Sequence, residues 1–156
     1  MPAPTAITAL PDPATLPAGQ QERRERIVRA AIALLEHGGE YDAIQMRDVA
    51  QEAGVALATV YRYFTSKEHL YAAALLDWAT SYPGPQRSTR SGHGNDEAQL
   101  RALMRRAVRA FERYPQMMRA EIVIESSTDP NARALFDQFA ARNVDALTSA
   151  LSSTDP

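Results

Sequence analysis

The chain has no cysteine, which excludes disulfides and thiolate metal sites. Its three histidines, His37, His69 and His93, are scattered, and none sits at a metal-ligand spacing such as H-E-x-x-H, so no metal is expected. Glycine is sparse and falls at expected helix ends and in one loop, which leaves no phosphate-cradling loop and no dinucleotide fingerprint. An enzyme is therefore not expected, nor is a cofactor. No apolar run approaches the roughly 20 residues that span a bilayer, and the N-terminus lacks the basic start and apolar core of a signal peptide. A cytoplasmic protein with no membrane partner is the expectation. A net charge of −2 argues against a nonspecific coat on nucleic acid.

Alanine is abundant and β-branched runs are scarce, so an all-α fold is expected. Residues 1–20, rich in Pro, Ala and Thr, read as a disordered N-terminal arm. Ile27, Ala30, Ala31, Leu34 and Leu35 trace one face of a first helix that stops at Gly38-Gly39. Residues 21–65 then form one unit. Thr65 to Glu68 fits a capping box, Thr65 as N-cap and Glu68 reaching back, for a connecting helix over 66–82 that carries Leu70, Ala74, Leu75 and Trp78. Residues 83–95 are a Gly/Ser/Pro loop. From 96 to 156 a second helical unit begins with Asp96 to Tyr114, burying Leu100, Leu103, Met104, Ala107, Val108 and Phe111. Pro115 opens a helix to about Ser126. Asp129-Pro130 opens a last one, burying Leu135, Phe136, Phe139, Val144 and Leu147.

The most specific stretch is QMRDVAQEAGVALATVYRYFTSKEHL, Gln45 to Leu70. Ala50 is small where two helices must approach, Gly54 suits a tight turn of positive φ, and Val60 packs the second helix on the first. Met46, Val49 and Ala53 recur at helical intervals as its buried face. The second helix, Leu57 to Phe64, then presents Leu57, Ala58, Thr59, Tyr61, Arg62 and Tyr63, with no carboxylate to repel phosphate, which suits a major groove. Tyr61 and Tyr63 are two apart and cannot point the same way, so one of the pair is also a candidate core aromatic. Phe64 is assigned to the core. Between Gln21 and Leu70 there are seven Lys/Arg against eight Asp/Glu, so placement and not total charge must supply the positive potential. Arg23, Arg24 and Arg26 open the first helix. Arg47 and Lys67 flank the docking face.

The ordered set RDVAQEAGV, TVYRYF and SKEHL resembles the DNA-binding domain of the TetR family of one-component regulators, specifically over about Arg23 to Leu75. Within it, this wording and the later ERYPQMMRA are similar to regulators of sterol or fatty-acid catabolism in actinobacteria. The resemblance implies a three-helix DNA-binding domain with a helix-turn-helix and then a helical effector and dimerisation domain, here lacking its last two helices. It implies a repressor on a double-stranded DNA operator with an inverted repeat, bound as a homodimer and released by a small hydrophobic effector such as a sterol acid or its coenzyme A thioester. It also implies that Arg47 meets a base or phosphate and Lys67 a phosphate at a helix start. Trp78, Met104, Val108, Phe111, Met118, Ile122 and Phe136 are the candidate effector pocket, with plain core packing the competing reading. Glu121 and Glu125, one turn apart, are either a cation site or a solvated helix edge. The alternative function is a short form that pairs with a full-length relative and blocks it.

Overall fold

A computed structural model describes residues 10–81 and 96–151, with a few side chains of the later helices left out. Among the described residues there are seven α-helices: α1 Ala18–Glu36, α2 Met46–Ala53, α3 Leu57–Tyr61, α4 Lys67–Ser81, α5 Asp96–Arg113, α6 Pro115–Glu125 and α7 Pro130–Leu151. No strand occurs among them. The loop expected over 83–95 lies outside the described residues.

The chain is ordered earlier than the composition of its first 20 residues predicts. Pro13–Thr15 is a 3-10 turn whose N-cap is Asp12, its carboxylate accepting the Ala14 N–H at 2.9 Å. Leu16 is buried, and Gln21 Nε2 donates to its carbonyl at 2.9 Å. Proline here fixes φ for a turn at little entropic cost, so a Pro-rich segment need not be an arm. Residues 1–9 of the expected arm lie outside the described residues.

Two glycine-dependent closures set the angles between α1, α2 and α3. At the end of α1, Gly38 takes φ +91° and the Gly39 N–H returns to the Leu34 carbonyl at 2.9 Å. A Cβ on Gly39 would stand 2.6 Å from that same carbonyl oxygen, so the turn admits no side chain there. After α2, Gly54 takes φ +66°. The Val55 N–H reaches the Ala50 carbonyl at 3.0 Å and the Gly54 N–H that of Gln51 at 3.1 Å, a Schellman closure. The start of α2 is fixed by Asp48, whose carboxylate accepts the Gln45 N–H at 2.7 Å.

The core is organised around α4. Leu70, Tyr71, Ala72, Ala73, Ala74 and Leu75 are buried in succession, because α1, α6 and α7 surround the helix. A helix apolar on all sides is stable only when enclosed in this way. Ile27, Val49, Val60, Phe64, Met117, Ile124 and Ala132 complete one continuous core from both halves of the chain.

The start of α4 differs from the expected capping box. The N-cap is Ser66, not Thr65: Ser66 Oγ accepts the His69 N–H at 3.0 Å. The residue reaching back is His69 and not Glu68, its Nδ1 accepting the Thr65 N–H at 3.1 Å. A buried imidazole satisfies that orphan donor where Glu68 would have carried a charge inward.

In α5 the expected inward stripe faces outward, and on α6, which buries Met117, Ala120 and Ile124, the candidate pocket residue Ile122 does too. Met104, Val108, Phe111 and Ile122 are more than half exposed, as is Val144 on α7. The side chains of Leu100, Leu103, Ala107 and Leu147 lie outside the described residues.

Candidate nucleic-acid interface

α3 follows the turn at Gly54, with Val60 fully buried as its anchor. α3 ends at Tyr61, and the chain leaves it through a turn at Arg62 and Tyr63, shorter than the helix to Phe64 expected from sequence. Phe64 N–H still closes onto the Val60 carbonyl at 3.0 Å and the ring is fully buried. Leu57, Ala58, Tyr61 and Arg62 are exposed on one side of this unit, and Thr59 is half-buried. Arg47 lies at the start of α2 with its side chain 72% exposed, 3.9 Å from the Asp48 carboxylate. Of the expected contact residues, Arg47, Leu57, Ala58, Tyr61 and Arg62 are each exposed.

Tyr63 is a correction. The sequence pattern puts it among the contact residues, but it is buried with Phe64, and its hydroxyl has no hydrogen-bond partner among the described residues. The tight exit from α3 turns it inward, so Tyr61 is the solvent-facing member of the pair. Lys67 is half-buried. Its Nζ donates to the Tyr41 carbonyl and stands 4.2 Å from the centre of the Tyr41 ring, and burial lowers its pKa. This lysine therefore ties α4 to the loop between α1 and α2 while remaining at the edge of the surface. Among the N-terminal arginines, Arg23 and Arg26 are exposed. Arg24 instead lies 5.1 Å above the Phe64 ring, and burial lowers its pKa.

The loop into α2 is clipped to α6 by groups the sequence reading did not single out. The Tyr41 N–H donates to Gln116 Oε1 at 2.9 Å, and Arg119 Nε donates to Asp42 at 2.9 Å. At the opposite flank, Asp129 accepts from Thr65 Oγ1 at 2.6 Å and from the Ser66 hydroxyl. His69 is buried beside this group, and its pKa is lowered to about 4, chiefly by that burial, against the opposing charge of Asp129. Asp129-Pro130 carried a sequence signal, but only as a helix start.

The seven candidate effector residues can be compared with two cavities among the described residues. A cleft of about 430 Å3 between α1, α4 and α7 is lined by residues including Arg24, Asp77, Thr80 and Leu135. A cavity of about 170 Å3 under the N-terminal segment is lined by residues including Leu10, Tyr63, His69 and Asn131. None of the seven lines either one. Trp78 instead stacks edge-on against Tyr114 at 5.3 Å, Phe136 packs near Phe139, and Met118 is half-buried. Burial raises the pKa of Glu121, with Glu125 adding to it. Among the described residues no group of three His, Asp or Glu could hold a metal ion, and no helix is long and apolar enough to cross a membrane.

Comparison with known proteins agrees with this geometry. The family described as bacterial regulatory proteins, tetR family, matches residues 27–74, the stretch from the core of α1 to α4. The HTH-type transcriptional repressor KstR of Rhodococcus jostii is 35% identical over 138 residues, covering 88% of this chain and 63% of that protein. KstR of Mycobacterium tuberculosis is 37% identical over 120 residues, covering 76% of this chain and 54% of its own length. A crystal structure of a TetR transcriptional regulator from Rhodococcus sp. RHA1 superposes with a TM-score of 0.63 at 29% identity, over 86% of this chain and 70% of that one. Residues 27–74 therefore form a domain of the tetR family of bacterial regulatory proteins. The chain spans about half to two thirds of the length of the KstR proteins it matches.

Proposed function

We propose that the chain is a sequence-specific DNA-binding transcriptional repressor that docks through α3 and the start of α2. The observation that carries this reading is the exposed set Arg47, Leu57, Ala58, Tyr61 and Arg62 on a helix-turn-helix whose turn is closed at Gly54 and whose second helix is anchored by the buried Val60. Arg47 and Arg62 supply donors for guanine or phosphate, Tyr61 a phosphate contact, and Leu57 and Ala58 apolar contact with thymine methyls. Thr59 and Lys67 serve at the edge, each with part of its surface open.

A homodimer on an inverted repeat places two such modules about 34–36 Å apart, in successive major grooves on one face of the duplex. The exposed apolar side chains Met104, Val108, Phe111 and Ile122 supply area for that pairing, and they form one wall of a site for a hydrophobic effector whose other wall a second protomer supplies. A sterol-derived or fatty-acid-derived effector is the class favoured by the wording of the recognition segment. Such a ligand releases DNA only by its differential affinity for the two states.

The test uses a duplex selected by the wild-type chain from a randomised pool. Arg47→Ala and Tyr61→Ala should each weaken binding about 10-fold, at the scale of one lost base or phosphate contact, with an unchanged melting temperature. Unchanged affinity in both variants, or no duplex selected at all, overturns the docking assignment.

A further inference from the structure

A polar contact between the two halves of the molecule sits at the exit of α3. Asp129, the residue before α7, uses one carboxylate oxygen to accept both the Thr65 hydroxyl at 2.6 Å and the Ser66 hydroxyl. Its other oxygen caps α7, accepting the Asn131 N–H at 2.9 Å. Asn131 Nδ2 adds a 3.4 Å contact to the same Thr65 hydroxyl. Ser66 is at once the N-cap of α4, and the Thr65 N–H is held by His69. One carboxylate therefore joins three helix ends: the exit of α3, the start of α4 and the start of α7.

We infer that Asp129 is a positioning residue for DNA docking, fixing the tilt of the recognition helix against the C-terminal helices. The inference rests on the DNA-binding reading above. Thr65 follows the buried pair Tyr63 and Phe64, whose N–H groups both close onto the Val60 carbonyl at 3.0 Å. A hydrogen bond to a charged acceptor is directional and about twice as strong as a neutral one, and here both hydroxyls point at one oxygen. Movement of the head of α7 is transmitted to residues 65 and 66 without passing through the length of α4.

Two variants separate this role from simple stability. Asp129→Asn keeps an oxygen to cap α7, since Asn and Asp serve equally as N-caps, but loses the charged acceptor for the hydroxyls. Thr65→Val keeps shape and the Thr65 N–H bond while deleting one hydroxyl. On the selected duplex, Asp129→Asn should raise Kd about 5- to 10-fold and Thr65→Val about 3-fold. The double variant should be no worse than Asp129→Asn alone, because both remove one interaction. Amide exchange should quicken about 10-fold at residues 63–66 and stay unchanged at Val49 to Ala53. Losses that multiply in the double variant, or exchange that rises throughout α1–α4, mean a structural role and overturn the inference. Should the wild-type chain select no duplex, the DNA reading falls, and the exchange pattern alone still decides the clip.

Discussion

In α1 to α4 each apolar stripe meets another: Ile27, Val49, Val60, Phe64 and Leu70 are all fully buried. In α5 a stripe of equal regularity, with Met104, Val108 and Phe111, faces outward. The two regions obey the same 3.6-residue period. They differ in whether the stripe has a partner among the described residues. Periodicity reports which side of a helix is apolar, and only packing reports what covers it.

The largest expected effect comes from breaking the first region and sparing the second. Phe64→Ala removes a fully buried ring that also carries the Arg24 guanidinium, and should cost about 3–5 kcal/mol in urea unfolding. Phe111→Ala, on a ring 58% exposed, should cost under about 0.5 kcal/mol and instead lower the association state seen by sedimentation. Equal destabilisation by the two would mean that the outward stripe is as well packed as the core, and the contrast would collapse.

This contrast marks how far the sequence could be read. The turn at Gly54, the anchor Val60 and the core assignment of Phe64 follow from spacing, because each depends on residues within one or two turns of it. Composition makes residues 10–20 part of an arm, although they carry the same Asp-Pro pair at Asp12-Pro13 that marks the start of α7 at Asp129-Pro130. The inward turn of Tyr63 depends on where α3 stops, and local pattern left both tyrosines open. Asp129 and Gln116 act on residues 63 to 75 positions away, a distance over which no periodicity carries information.

A smaller effect than that of Phe64→Ala tests the polar side of the ordered region. His69 is held neutral by burial, its pKa about 4 against an ordinary 6.5. The unfolded chain therefore binds a proton more readily, so stability should be full above about pH 6.5 and decline as the pH falls toward 4. Between pH 7 and pH 5 the loss should be about 1–2 kcal/mol, after allowance for partial solvent screening. Glu121, whose pKa is raised by burial, runs the other way and gains stability as pH falls, so the comparison needs His69→Asn, which keeps an acceptor for the Thr65 N–H. The variant should lose most of the decline. An unaltered slope would assign the acid sensitivity elsewhere.

The smallest effect belongs to the clip on the opposite flank. Arg119 and Asp42 form a close pair, 2.9 Å, yet both side chains are at least half exposed. In water such a pair gains little, because solvent screens the attraction and ordering two side chains has an entropic cost. The Arg119 pKa is raised by its hydrogen bond to Asp42 and by that charge, which shows a favourable contact without making it a strong one. The loop it touches is held independently by the Tyr41 N–H on Gln116, by Lys67 on the Tyr41 carbonyl and by the Tyr41 ring packed edge-on to Tyr71 at 5.1 Å. Arg119→Ala should therefore leave the melting temperature within about 2 °C and duplex affinity within about 2-fold of wild type. Gln116→Ala, which strips the acceptor from a buried residue's N–H, should do more than Arg119→Ala on both measures. A reversal of that order would place the coupling in the exposed charges and not in the buried loop.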